Sequence, residues 1–116
     1  MQLNLLSHEA IIEIAKPMWD NLIAASNARD YDQFIVHFSK VMGQEATREN
    51  IEAQWEHQPV LSSLIKEPEL MGCLKGKDSV RVLWKQMSTS TNDELLGYLS
   101  LVVEGGEMKI NGAQIF

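Results

Sequence analysis

The sequence predicts an α+β domain in which helices come first and an antiparallel sheet follows. Two observations predict this order. Through the first half of the chain, apolar residues recur every three or four positions, which is the repeat of an amphipathic helix. After Pro68 the repeat shortens to two, and four strand-length segments are separated by short turn signals. We therefore predict three N-terminal helices that cover one face of a four-stranded sheet.

The first helix is predicted to begin after Ser7, whose hydroxyl can accept a hydrogen bond from a free amide of the first turn. Its apolar stripe runs from Ile11 to Ser26 and includes Trp19. Pro17 interrupts this stripe. Because proline lacks an amide donor and clashes with the preceding turn, we expect a kink or a new helix start there.

Two further helices are expected before the sheet. Residues 27–29 indicate a short break, after which Asp30 is suited to cap a second helix. The apolar face of that helix would carry Tyr31, Phe34, Ile35 and Phe38. Residues 39–46 are ambiguous and are interpreted as a loop or a short strand. Thr47 is expected to cap a third helix, which ends near Pro59.

Four predicted strands fill the rest of the chain, at residues 69–76, 79–87, 94–103 and 107–116. The segments between them are too short for a crossover helix, so the strands should form an antiparallel meander. The pair Gly105 and Gly106 is typical of a hairpin turn, which requires positive φ. The last segment should pair with the strand before it. Burial of either of its last two side chains would contribute about 1.5–3 kcal/mol.

Composition narrows the class of protein. The 116 residues are expected to form a single domain over residues 1–116, and 45% of them are hydrophobic. The net charge of -6 argues against a nucleic-acid partner or an anionic membrane surface. We see no signal peptide and no apolar run long enough to span a bilayer. The single cysteine, Cys73, suits a reducing compartment, so a cytoplasmic location is expected.

Two segments carry a resemblance to a known family. NLIAASNARDYDQFIVHFS joins the first two helices, and DELLGYLSLVVEGGEMKINGAQIF closes the chain. Together with the order of elements, they resemble the nuclear transport factor two-like superfamily, also called cystatin-like or ketosteroid-isomerase-like, and its short bacterial members in particular. The resemblance implies a strongly curved sheet that forms a cone around the helices, with a pocket at its open end. Members include isomerases, dehydratases and polyketide cyclases, as well as ligand-binding and partner-binding proteins.

The resemblance leaves the chemistry open. A catalytic member tends to carry its carboxylate base just after the second helix, but this chain has no Asp or Glu between Asp32 and Glu45. We therefore expect a domain that binds a small apolar ligand in the cone pocket without catalysis. One alternative is an isomerase or dehydratase that uses His37 and Tyr98. The other is a protein-interaction module.

The pocket candidates are large apolar groups together with a few polar ones that could reach them. The three tryptophans and the phenylalanines could equally be core residues. The three histidines lack partners at metal-ligand spacing, so no metal site and no cofactor is expected. The ligand-pocket candidates are Trp19, Phe34, His37, Phe38, Trp55, Cys73 and Tyr98.

Two of the predicted strands are apolar on both faces. In residues 80–88, Val80, Val82 and Trp84 share one face, while Leu83 and Met87 share the other. Residues 94–104 show the same property. One face can cover the helices, and the other would be an exposed apolar patch, which a soluble monomer rarely shows. We therefore expect a homodimer formed through the outer face of the sheet.

Overall fold

The protein is described by a computed structural model that covers residues 2–116. The α+β prediction is confirmed: four α-helices precede a four-stranded antiparallel sheet. Two short 3₁₀ turns lie at Leu3–Leu5 and Pro59–Ser62. The helices are α1 (His8–Ala28), α2 (Tyr31–Phe34), α3 (Lys40–Glu45) and α4 (Arg48–His57). The strands are β1 (Glu69–Lys75), β2 (Val80–Gln86), β3 (Leu95–Glu104) and β4 (Glu107–Ile115).

The sheet is the expected meander, with the strand order β1-β2-β3-β4 and every neighbouring pair antiparallel. It is open, so β1 and β4 are its edge strands. Gly105 and Gly106 form the β3–β4 turn with φ values of 61° and 80°. These positive angles are the reason that glycine occupies both positions.

Helix α1 begins as predicted, because the Ser7 side chain accepts a hydrogen bond from the Ala10 amide at 3.0 Å. The expected restart at Pro17 is wrong: α1 continues through it as one helix. Pro17 lies on the exposed side. The stripe on the opposite side, from Ile11 to Ser26, is buried along both halves of the helix. Burial of that continuous stripe offsets the local cost of proline, which is about 3 kcal/mol in a helix interior.

The break between the first two helices is shorter than expected. Helix α1 extends to Ala28, and Arg29 ends it in the left-handed conformation with φ 53°. Asp30 then caps α2, as predicted, by accepting a hydrogen bond from the Gln33 amide at 3.2 Å. Helix α2 is a single turn that ends at Phe34, so Phe38 lies beyond it rather than on its face.

Residues 39–46 correct the expected loop or strand, because Lys40–Glu45 is helical. The Ser39 hydroxyl caps this helix by accepting a hydrogen bond from the Met42 amide at 3.2 Å. Residues 2–116 therefore contain four α-helices rather than three. Thr47 caps α4 as predicted, by accepting a hydrogen bond from the Asn50 amide at 3.2 Å.

The core lies between the helices and one face of the sheet, which we call the inner face. On β2 the predicted alternation holds, since Val80, Val82, Trp84 and Gln86 are all buried. Trp19 of α1 stacks on Trp84, with ring centroids 4.9 Å apart and ring planes 21° apart. The Trp19 Nε1–H also donates to Gln86 Oε1 at 3.0 Å, which satisfies both buried polar groups.

The end of the chain belongs to the sheet through its backbone. Phe116 N–H donates to the Leu96 carbonyl at 3.0 Å, and Leu96 N–H donates to the Phe116 carbonyl at 3.2 Å. The Phe116 side chain is 63% exposed, so it does not supply the burial energy considered for the last two residues. Ile115 is half-buried and packs against the core.

Candidate functional site: an apolar cavity beside strand β4

A cavity of about 380 Å³ lies between α1, α4 and the last residues of β4. Most of its wall is apolar or aromatic. The main wall residues are Trp19, Leu22, Ile23, Phe34, Ile51 and Trp55. Ser26, Gln54 and Gln58 add neutral polar groups, and residues 113–116 of the last strand close one side. We call this the larger cavity, because the space that includes its solvent-open mouth is about 1020 Å³, against about 850 Å³ for the cavity that adjoins it.

The spacing of apolar residues along α1 and α4 places the residues of the cavity wall next to one another. Trp19, Leu22 and Ile23 follow one another at intervals of one turn or less on the buried stripe of α1. Ile51 and Trp55 are four residues apart on α4, so both point to the same side. The Phe34 ring meets the Trp55 ring edge to face, with centroids 5.4 Å apart.

Hydrogen bonds hold Trp55 in place. Its Nε1–H donates to Ser26 Oγ at 3.0 Å, and the Ser26 hydroxyl donates in turn to the Leu61 carbonyl. Arg29 Nη2 donates to the Trp55 carbonyl at 3.0 Å. Trp55 is only 1% exposed. Its indole is therefore a fixed part of the wall, and the buried Ser26 hydroxyl both donates and accepts a hydrogen bond inside the protein.

The polar side chains of the larger cavity are all neutral. Among the residues that the structure describes, no side chain of Asp, Glu, His, Lys, Arg, Cys or Tyr lines it. Gln54 and Gln58 are exposed, so their amides stand where the cavity meets solvent. Amides donate and accept hydrogen bonds but do not exchange protons near neutral pH. This lining can orient a ligand, but it offers no side chain for general acid–base catalysis.

A second cavity of about 380 Å³ adjoins the first. The two cavities share Phe34, Ile51, Gln54 and Ala113 in their linings. Phe38 and Met42 add apolar wall to the second cavity. Glu45 is the one ionisable side chain among the described residues that line either cavity. The two cavities therefore form one groove with a single acidic group towards one end.

Four of the seven residues proposed from sequence lie in this groove. Trp19, Phe34 and Trp55 line the larger cavity, and Phe38 lines the second. The rings of Phe34 and Phe38 are in edge contact, with centroids 5.5 Å apart. Residues from α1, α2 and α4 thus converge although they are far apart in sequence.

The other three candidates line neither cavity. His37 lies beside β4, where its carbonyl accepts a hydrogen bond from the Ile110 amide at 2.8 Å. Cys73 is half-buried on edge strand β1, and burial raises the pKa of its thiol, an effect that the charge of nearby Lys75 opposes. Tyr98 alternates with buried Leu99 on β3, so it belongs to the outer face.

Sequence reasoning missed the polar rim and the contribution of the last strand. Gln54 and Gln58 stand beside Trp55 in the sequence, but a surface glutamine carries no signal that distinguishes a rim from ordinary solvent exposure. Residues 113–116 line the larger cavity because β4 is an edge strand there. Strand order is a tertiary property, so the alternation of apolar residues could not reveal it.

The described residues contain no cluster of three or more His, Cys, Asp or Glu side chains that could hold a metal ion. Two other pKa values are shifted at the β2–β3 end of the sheet: the hydrogen bond between Lys85 and Glu94 raises the pKa of Lys85 and lowers the pKa of Glu94. Within residues 2–116, no helix is both long and apolar enough to cross a membrane.

Comparison with known proteins places the chain in no family: no protein-family model matches it, and no curated protein is similar to it in sequence. The geometry of the groove is therefore the basis for inferring function.

Proposed function

We propose that this protein binds a small apolar ligand in the larger cavity without catalysing a reaction on it. The observation that carries the proposal is the lining: apolar and aromatic walls, neutral amides at the mouth, and no ionisable side chain among the described residues. A volume of about 380 Å³ is at the small end of the range of ~300–1,000 Å³ typical of ligand sites. A compact ligand with an apolar body fits both properties.

The two alternatives are less well supported. An isomerase or dehydratase would need titratable groups that converge on the ligand, yet His37 and Tyr98 lie outside both cavities. An interaction module alone would be expected to have a filled interior, whereas the space beside Trp55 is open.

We also propose that the sheet curls into the cone of the nuclear transport factor two-like superfamily. Two features support this proposal: the helices precede all the strands, and the four strands form an unbroken meander. The cavity beside α1 and α4 would then be the pocket of the cone. A cytoplasmic location is part of the same proposal and is supported by the unpaired Cys73.

A homodimer through the outer face of the sheet is proposed as the functional form. Leu83, Leu96 and Val102 are half-exposed there, and Leu74 is 51% exposed. No helix within residues 2–116 covers this face, because the helices pack on the buried Val80 side. Burial of this surface against a second copy would remove apolar area from water.

The dimer can be tested by sedimentation at tens of micromolar. Val102→Lys should dissociate it, because the substitution places a charge in the middle of the outer face. Val41→Lys is the matched control, since Val41 is 62% exposed on α3, away from that face. A wild-type protein that sediments as a monomer would contradict the proposal.

Ligand binding can be tested with N-phenylnaphthylamine, a neutral dye whose fluorescence rises in apolar surroundings. The wild type should bind the dye saturably. Ala113→Phe should weaken binding strongly, because Ala113 lines both cavities and the new ring would occupy shared space. Ala24→Phe adds the same volume at an exposed position of α1 and should bind like the wild type. Equal binding by the two folded variants would refute the proposed site.

A further inference from the structure

The outer edge of β4 carries unpaired backbone groups beside the larger cavity. Leu96 and Phe116 exchange both of their backbone hydrogen bonds, at 3.0 and 3.2 Å. In an antiparallel pair, residues bonded in this way alternate with residues whose N–H and C=O point away from the partner strand. Gln114 is therefore bonded to β3. Ala113 and Ile115 direct their N–H and C=O groups to the free edge.

These two residues also line the larger cavity. Their edge-directed backbone groups have no hydrogen-bond partner among the residues that the structure describes. The spacing of two residues is the spacing at which an added strand would form its hydrogen bonds. The cavity thus has an apolar wall on one side. On the other side it has a strand edge whose backbone N–H and C=O groups can pair with an added strand.

The chain already uses this edge in one place. Ile110 N–H donates to the His37 carbonyl at 2.8 Å, and Ser39 N–H donates to the Ile110 carbonyl at 2.8 Å. Through these bonds Phe38 bridges to Ile110 in parallel. The covered part of the edge ends there, before residue 113. The groove therefore lies next to a part of the β4 edge that already pairs with another segment of the chain.

We propose that the ligand of this groove is an extended peptide segment that adds a strand to the edge of β4. Its backbone would form hydrogen bonds with Ala113 and Ile115. Every second side chain of the peptide would point towards the helices and enter the cavities, so those side chains should be apolar. This inference rests on the proposed function: the small apolar bodies that fill the larger cavity would be side chains of the peptide rather than a free small molecule.

The charge of the groove indicates which residues should flank the apolar residues of the peptide. Glu45 lines the second cavity and forms no ion pair within the described part of the chain. The whole protein carries a net charge of -6. A Lys or Arg at the end of the peptide nearest Glu45 would therefore be favoured. Gln54, which borders both cavities, can donate to or accept from the peptide backbone.

The main test uses the blocked peptide acetyl-Lys-Val-Thr-Ile-Thr-Val-Lys-amide, in which apolar and polar residues alternate. Two derivatives carry backbone N-methyl groups, one on the Val and Ile residues and the other on the two Thr residues. Only one of these sets can face β4. One derivative should therefore bind weaker by on the order of tenfold, while the other binds nearly as well as the parent. Equal affinities for both derivatives would overturn strand addition.

Amide hydrogen exchange tests whether the peptide forms backbone hydrogen bonds with Ala113 and Ile115. In the free protein, the amides of Ala113 and Ile115 should exchange faster than the amide of Gln114, which is bonded to β3. Addition of the peptide should slow exchange at Ala113 and Ile115 specifically. Peptide binding that leaves both amides unprotected would also overturn the inference.

Glu45→Gln should weaken binding of the lysine-containing peptide about threefold, as expected for an exposed ion pair. Glu49→Gln removes the same charge from an exposed position of α4 that lines neither cavity, and it should have a smaller effect. Equal effects would count against the assigned charge contact.

The dye separates the two proposals: dye binding without peptide binding refutes the peptide alone, and failure of both refutes the cavity as a binding site.

Discussion

Replacement of Gly97 by alanine should destabilise the protein, because a β-carbon there has no room beside Trp19. An ideal β-carbon at this position would lie 2.6 Å from Trp19 Cζ2 and 3.1 Å from Cη2. To restore an ordinary contact of 3.4 Å, the ring would have to retreat by about 0.8 Å. Gly97 is therefore required by the close approach of β3 to α1.

The retreat is costly because two contacts and almost complete burial hold the indole in place. The ring stacks on Trp84 at 4.9 Å, its Nε1–H donates to buried Gln86, and its side chain is only 2% exposed. Overpacking of a core typically costs about 1–3 kcal/mol. Loss of the Gln86 hydrogen bond would place the cost at the upper end of that range. Because Trp19 also lines the larger cavity, affinity for the dye should fall as well.

The assay is urea unfolding followed by far-ultraviolet circular dichroism, in which the midpoint should fall while the slope m stays constant. Gly72→Ala is the matched control: it lies on strand β1, and an added β-carbon there meets nothing within 4 Å. Both variants lose the same backbone freedom in the unfolded state, so the difference between them reports the clash. If Gly97→Ala unfolds at the same urea concentration as Gly72→Ala, the tight packing of Trp19 against β3 is refuted.

Three further changes test other parts of the structure. Ser26→Ala should cost about 1–3 kcal/mol in urea unfolding, because it leaves the buried Trp55 Nε1–H without an acceptor; an unchanged midpoint would contradict that hydrogen bond. Hydrogen bonding to Lys85 lowers the pKa of Glu94, so this pair stabilises the fold above the ordinary carboxyl pKa of 4.5, and the stabilisation is lost as pH falls through the lower folded value. Glu94→Gln should therefore make stability less dependent on pH in that acidic range, and an unchanged dependence would argue against the pair. Burial raises the pKa of the Cys73 thiol, so iodoacetamide should modify the folded protein more slowly than the urea-unfolded protein, and equal rates would contradict the burial.

Local signals predicted much of the fold. Ser7, Asp30 and Thr47 each cap a helix because a short polar side chain can accept from an amide of the first turn. The two adjacent glycines at 105–106 adopt the positive φ that a tight hairpin requires. Alternation separated the two faces of β2 correctly, and the structure shows that the face with Val80, Val82 and Trp84 is the buried one. In each case the residues that determine the local structure lie within a few positions of it in the sequence.

Features set by tertiary packing were not predictable. Pro17 indicated a kink or a new helix start, and the new start is excluded because α1 continues through Pro17, with buried residues on both sides of it. Residues 39–46 showed no clear period, and their helix depends on the Ser39 cap. Ser39 is itself fixed, because its hydroxyl donates to Asn111 on β4 at 3.0 Å. A contact between residues so far apart leaves no trace in the local pattern.

The site was predictable only in part, for the same reason. Trp19, Phe34 and Trp55 were proposed because they are large and apolar, and all three do line the larger cavity. Size alone could not separate them from Tyr98, which lies on the outer face. The role of residues 113–116 depends on β4 being an edge strand, which follows from the whole topology rather than from the strand itself.

The central claim is that the larger cavity holds an apolar ligand, and nuclear Overhauser effects from bound N-phenylnaphthylamine test it most directly. The claim predicts contacts between the protons of the dye and the side chains of Trp55 and Ile115, which both line the cavity. Contacts confined to Leu83 and Val102 on the outer face, or the absence of saturable binding, would contradict it.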